Sequence, residues 1–374
     1  MKKPLLVLLA GGVGLLIVVF AAVGVVSWQF ATTPASNNDS EIIYEVSPGK
    51  SFKTIAEDLA KAGVIKNATA FSMFARFRGE RSKLKVGEYA LNTNMRPADV
   101  LAVITSGKSI AHPFTISEGL NVFEIAEAFE KAGLGKSSDF LGLVRDPAFA
   151  KSLLNKDVPS LEGYLFPETY QVTKFTTTKE LIAAMVHRFQ LVWGELEPTF
   201  GNQTLNPHQL VTLASIIEKE TGAPQERPLI SSVFYNRMVK KMKLQTDPTI
   251  IYGIADQTGV VPADIKRADI LRPTRYNTYV IEGLPPGPIA NPGREALLAA
   301  AHPETSEYLY FVSQNNGTHV FSKTYEAHLK AVGKFQLDPK AREGKSWRDL
   351  RKTQVQSGSS SKDAAAAPGK TVVK

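Results

Sequence analysis

Apolar side chains fill positions 5–27 with one Ser and no charge. The run exceeds the ~20 residues that cross a bilayer core, so it predicts a transmembrane helix. Beyond residue 40 the apolar positions recur at shorter periods. Tyr44–Gly63 reads as a brief alternating strand, a turn at Gly49, and an amphipathic helix stopped by Gly63. Residues 67–78 predict a second helix, Leu84–Leu91 a strand, and Pro97–Ser106 a helix. The first pattern returns 70 residues later at Phe114–Gly133, with eight of twenty positions identical, and a helix near 137–145 follows it. Helical spacing recurs over Thr178–Leu196, Asn206–Gly222, Glu226–Met242 and Thr324–Val332. Asn315-Asn-Gly317 turns a hairpin between Tyr308–Ser313 and Thr318–Phe321. Gly283-Leu-Pro-Pro-Gly-Pro-Ile289 and Asn291-Pro-Gly293 carry too much proline for a helix or a central strand, and predict an extended, rigid loop.

These elements add up to an α+β chain. Residues 1–4 are a cytoplasmic stub, 5–27 a single transmembrane helix, and 28–40 a polar linker. Residues 41–110 form a β-α-α-β module that resembles LysM glycan-binding modules; a packing scaffold that binds nothing is the rival reading. Residues 111–150 are a second β-α repeat unit. It leads into a mainly helical principal domain with short strands, 151–340. The Ser-, Ala- and Lys-rich segment 341–374 reads as a disordered basic tail.

The net charge of +8 has a local origin. Lys2 and Lys3 supply +2, and residues 340–374 hold nine basic and three acidic side chains, a net +6, so residues 4–339 sum to zero. A neutral body argues against a nucleic-acid partner. Lys2 and Lys3 precede the apolar run and the next charge is Asp39, which leaves the N-terminus in the cytoplasm and the body outside. The run is longer than the ~7–15 apolar residues of a signal peptide, so an uncleaved anchor is expected. There is no cysteine, hence no disulfide framework and no thiolate metal site. The six histidines lack close metal-ligand spacing, so neither a metal nor a cofactor is expected; His302 and His319, flanking the hairpin, would be the exceptions.

One carboxylate stands out. In Asn206–Gly222, Asn206 suits the N-cap, Pro207 the first helical position, and Gly222 the helix end. Glu218 lies four residues after Ala214 and seven after Val211, on the apolar side, whereas Glu220 faces away. Apolar neighbours and the negative end of the helix dipole both disfavour a charged carboxylate there. A carboxyl group that keeps its proton can act as a general acid. A helix-end Glu whose head simply reaches water is the plain alternative.

Between 151 and 330, Tyr164, Phe166, Tyr252 and Tyr276, with Tyr170 and Tyr279, could stack on sugar rings. Gln245, Thr246, Asn277 and Thr278 offer uncharged polar contacts that suit hydroxyl and acetamido groups. The same residue types also build ordinary turns. No phosphate-binding loop, dinucleotide motif or nucleophile elbow is present. Glycoside hydrolysis normally needs a second carboxylate. The candidates are Glu162, Glu168, Glu220, Asp247 and Glu282, with Glu220 turned away and Asp247 most simply a turn residue before Pro248.

Five separated motifs occur in order: Glu162-Gly-Tyr-Leu-Phe-Pro-Glu-Thr-Tyr170, Ala214-Ser-Ile-Ile-Glu-Lys-Glu220, Leu244-Gln-Thr-Asp-Pro-Thr249, Tyr276-Asn-Thr-Tyr279 and Gly283–Ile289. Together they resemble the YceG-like family of endolytic murein transglycosylases (MltG). The resemblance covers everything but the tail. It implies cleavage of the β-1,4 bond between N-acetylmuramic acid and N-acetylglucosamine within peptidoglycan strands, leaving 1,6-anhydromuramyl ends. It puts the catalytic role on Glu218, acting as acid and then as base. It implies a body on the periplasmic face of the inner membrane, with peptidoglycan synthases (penicillin-binding proteins) as partners. A non-catalytic murein-binding scaffold and a hydrolytic muramidase are the alternatives.

Overall fold

Ile42, Tyr44 and Val46 alternate with more exposed residues along β1 (Glu41–Val46), and this alternation seeds the core of the first unit. β2 (Gly87–Asn92) runs antiparallel to it, from Glu41 opposite Asn92 to Val46 opposite Gly87. Between them lie α1 (Phe52–Lys61) and α2 (Ala68–Phe77), and α3 (Pro97–Ser106) follows β2. The caps explain the starts. Ser51 accepts from the Thr54 amide at 3.1 Å and Asn67 from the Ala70 amide at 2.9 Å. Ile55, Leu59, Phe71, Leu101 and Ile104 are fully buried against Tyr44 and Tyr89, each contributing roughly 1.5–3 kcal/mol of apolar burial. The β-α-α-β order read from the sequence is therefore present.

The computed structural model describes residues 24–25, 28–220, 223–338 and 371–373. The chain divides into two units. One comprises Met1–His112, Val172–Phe175 and Ala366–Lys374, the other Pro113–Gln171 and Thr176–Ala365. The span at 5–27 lies outside the described residues except for Gly24 and Val25. Among the described residues no helix is long and apolar enough to cross a membrane. Most of the tail also lies outside them. Thr371–Val373 do not follow the disordered reading: they form β7, parallel to β1, with Ile42 opposite Thr371.

The second unit is mainly helical. Its helices are α4 (Val122–Lys131), α5 (Ser137–Val144), α6 (Pro147–Leu154), α7 (Thr178–Leu196), α8 (Pro207–Glu220), α9 (Arg227–Val239), α10 (Asp247–Thr258), α11 (Arg294–Ala301) and α12 (Tyr325–Val332). Two strand pairs accompany them, β3 (His112–Thr115) with β4 (Thr169–Val172) and β5 (Tyr310–Ser313) with β6 (His319–Ser322). The hairpin forms at Asn315-Asn-Gly317 with Ser313 opposite His319, and Asn315 takes the left-handed conformation the turn needs, φ 60°. Reciprocal capping boxes start α4 at Asn121 and α7 at Thr177.

The structure changes three details of the sequence reading. α6 runs through residue 150, where the reading set a domain boundary. α11 begins directly after the proline loop, at Gly293-Arg294. Asp247 is not a turn residue but the first residue of α10, with Pro248 in the first turn, where its missing N–H costs nothing.

Candidate active site

α8 is the central element of this site. From Leu210 to Glu218 every residue is buried, including Thr212 and Ser215. A stripe was expected; burial is all round, as the uninterrupted uncharged run permits. The two hydroxyls avoid a desolvation cost by donating to helix carbonyls, Thr212 to His208 and Ser215 to Thr212, at 2.8 and 2.7 Å. Asn206 caps the helix reciprocally with Gln209, each amide donating to the other's side chain at 3.0 Å. Gly222, the expected helix stop, lies outside the described residues.

The proline loop lies along one face of α8. His208 Nε2 pairs with the Pro286 carbonyl at 3.0 Å, Ser215 Oγ accepts from the Ile289 amide at 3.0 Å, and Glu218 Oε2 accepts from the Gly293 amide at 3.0 Å. Positions 208, 215 and 218 are seven and three apart, so they share a face. A segment with little helix or strand tendency is thus fixed at three points. Gly163, at φ 85°, lets the loop come close, because a side chain there would overlap Pro288.

Glu218 is enclosed, with 6% of its side chain exposed. Arg227 Nη2, at the start of α9, donates to Oε1 at 3.0 Å, and the Gly293 amide holds Oε2. The same guanidinium nitrogen lies 4.0 Å from Glu118, whose side chain is half exposed. Arg227 therefore stands between two carboxylates, one enclosed and one open to water. Partial burial and the charge of Glu218 push the Glu118 carboxyl above its usual range, Arg227 opposes this, and Glu295 adds to the rise. A side chain at 293 would meet the Glu118 carboxylate in its present position, so glycine lets Glu118 lie where it does. Nε of Arg227 is buried and meets no acceptor among the described residues.

Asn291 ties the surrounding loops together. Its amide nitrogen donates to the Leu120 carbonyl at 2.9 Å and to Glu162 at 3.1 Å. Its side-chain oxygen accepts from the Leu165 amide at 2.8 Å, and its backbone pairs with Gly119 and Leu120 at 2.9 Å each. Lys219 adds a bond to the Gly119 carbonyl at 2.9 Å. Glu162 is fully buried and caps α4 through the Val122 amide at 3.0 Å.

Burial pushes the Glu162 carboxyl up to about 8, against the pull of its hydrogen bonds. The native state then holds a proton that the unfolded chain has lost. Stability falls as pH rises from 4.5 to about 8 and levels off above. Glu162→Gln removes this titration and flattens that part of the profile, a change on the order of a few kcal/mol in calorimetric unfolding. Burial also pushes Glu220 up to about 7, with the same sign, so the readout is the difference between wild type and variant. An unchanged slope in the variant would refute the assignment to Glu162.

The YceG-like family model matches residues 44–334. The chain belongs to the YceG-like family. An endolytic murein transglycosylase of Bacillus subtilis is 34% identical over 305 residues, covering 78% of this chain and 83% of that protein. One from Streptococcus pneumoniae is 30% identical over 325 residues, covering 79% of this chain and 59% of that protein. The crystal structure of a yceG-like protein from Listeria monocytogenes is 34% identical with a TM-score of 0.53, over 78% of this chain and 99% of that one.

The YceG-like motifs meet unequally at Glu218. The Glu162-Gly-Tyr segment and the proline loop reach it through Asn291 and Gly293. The aromatics proposed for sugar stacking are mostly interior. Tyr164 shares a 2.7 Å hydrogen bond with His208 and packs edge-on to Phe189; Phe166 is buried beneath Arg188. Tyr252 and Tyr276 pack edge-on at 4.6 Å, both buried. Asn277 is fully buried and donates to the Ile270 and Arg272 carbonyls at 3.0 and 2.9 Å, which leaves its amide nothing for an acetamido group. Thr278, also fully buried, bonds the Thr246 amide and Thr249. Thr246 is buried and donates to Glu220. Gln245 alone of the eight is exposed; it sits at φ 51° and accepts from Arg237 at 3.3 Å.

Two of the other carboxylates have partners and one faces solvent. Glu168 pairs with Arg188, Asp247 accepts from Tyr279 at 2.7 Å, and Glu282 is exposed. His319, flagged as an exception, pairs with Glu226 at 2.7 Å. The reading missed Arg227, Gly293, Asn291 and Glu118. A signal for Glu118 existed: it is the acidic replacement for Pro48 in the turn of the repeat.

Proposed function

We propose that this chain is an endolytic murein transglycosylase, tethered to the inner membrane by residues 5–27, with its body in the periplasm. The observation that carries the reading is Glu218: an enclosed carboxylate at the end of a buried helix, held by Arg227 and the Gly293 amide, in a chain whose relatives bear that name.

In this reading Glu218, as general acid, gives a proton to the departing glycosidic oxygen, and the C1–oxygen bond of the muramyl residue breaks. The C6 hydroxyl of the same sugar attacks C1 and closes the 1,6-anhydro ring. Its proton returns to Glu218, so one carboxyl group serves twice and no water is consumed. Glu118 is a second carboxylate within reach of Arg227. The β-α-α-β module would bind glycan in the manner of LysM, and peptidoglycan synthases would supply new strands.

The test is digestion of purified murein by the full-length protein, with mass analysis of the fragments. The expected products carry anhydro ends. Ends heavier by one water molecule would replace the reading by a muramidase, and no fragments at all by a binding scaffold.

A further inference from the structure

In the first unit one helix face exposes two large apolar residues. α2 buries Phe71 and Ala75. Met73 and Phe77, four apart, face the other way and are 54% and 73% exposed. At 3.6 residues per turn, Met73 stands roughly 160° around from Phe71. Solvent-facing residues of this size, placed together, mark an interaction surface.

The surroundings say which kind. Residues 66–85 contain Lys66, Arg76, Arg78, Arg81, Lys83 and Lys85 against one acid, Glu80, so six positive charges meet one negative in a body whose charges sum to zero. Arg78 takes Glu80 at 3.1 Å, and Arg76 and Arg81 make no ion pair among the described residues. The third observation is the chain's path. Phe30 packs edge-on to Phe74 of α2, ring centroids 6.4 Å apart. The helix is thus met three residues after the apolar run ends at 27, with Trp28, 70% exposed, between them.

We infer that this face of α2 docks the first unit on the surface of the bilayer its own anchor enters. Met73 and Phe77 enter the headgroup layer, and Arg76, Arg81 and Lys83 meet the phosphates of anionic lipid. The inference rests on the reading of 5–27 as an anchor. Bulky apolar side chains ringed by cations match an interfacial lipid site, whereas a glycan site would present hydroxyl and amide partners. The consequence is functional: contact at α2 as well as at the anchor fixes which face the first unit turns to the bilayer.

The absence of cysteine allows a clean test. Full-length Phe77→Cys is labelled with an environment-sensitive dye and reconstituted into vesicles of phosphatidylcholine and phosphatidylglycerol. The dye is expected to shift to the blue, to resist iodide in the water and to be quenched by headgroup nitroxide lipid. Adding Arg76→Glu and Arg81→Glu is expected to weaken that quenching, by about fivefold for each basic side chain lost. A dye that inserts on its own account stays quenched in the charge-reversed protein, and that overturns the inference. A chain that floats with the vesicles while the dye remains open to iodide also overturns it. A chain that does not float at all overturns the anchor reading instead. A blue shift produced by murein sacculi without vesicles assigns the face to glycan and refutes lipid.

Discussion

Replacing Glu218 by Gln leaves a folded protein that releases almost no anhydro-ended fragments from murein. The side chain keeps its length and its place on α8, and the apolar burial of Leu210–Ile217 is untouched. The amide cannot give and retake a proton, so the loss is the full contribution of general acid–base catalysis, about 10²–10⁴-fold. A stability cost accompanies it. Arg227 and the Gly293 amide both donate to the carboxylate, and Gln has one acceptor oxygen, so one donor then faces an NH₂ group. That mismatch is worth ~1–3 kcal/mol, less where water reaches it. Circular dichroism and a melting curve separate this from unfolding. Glu220→Gln is the control, because that carboxyl bonds Thr246 on another side of the helix; its activity is expected within a small factor of wild type. Equal activity in the Glu218 and Glu220 variants would sink the catalytic assignment.

What was legible in the sequence follows from range. The Glu218 helix is a local object: Asn206, Pro207 and the apolar run fix its start and its buried character, and the structure adds only that burial is complete. Proline density likewise fixes the loop as irregular. It could not say that His208, Ser215 and Glu218 pin that loop, because those bonds join residues about 75 apart. Gly293 contributes a backbone N–H, which no residue type advertises. Arg227 reads as a helix-start charge until its distance to Glu218 is known. The aromatics misled for a chemical reason. Tyrosine serves a core and a sugar site equally well, since one face is apolar and one end polar. Tyr164, Tyr252 and Tyr276 were core, and the hydroxyl of Tyr164 was taken by His208. Asn277 and Thr278 were structural for the same reason: a short polar side chain bonds its own loop.

Arg227→Ala has the larger effect on the folded state. Arg227 and Glu218 form an ion pair with 9% and 6% of their side chains exposed. Removing the cation strands a carboxylate with the Gly293 amide as its remaining donor, and Glu118 then repels it without a guanidinium between them. Breaking a buried pair from one side costs roughly 3–5 kcal/mol. Activity falls as well, by about 100-fold, because a carboxyl group released from its two-point hold moves away from the productive position. Arg227→Lys keeps the charge but loses the planar fork and the Nε donor, so it should recover stability more than activity. This split distinguishes a residue that positions Glu218 from one that only balances charge. If Lys restores both equally, Arg227 is electrostatic ballast. If Ala leaves the melting temperature unchanged, Glu218 is not held as the structure has it.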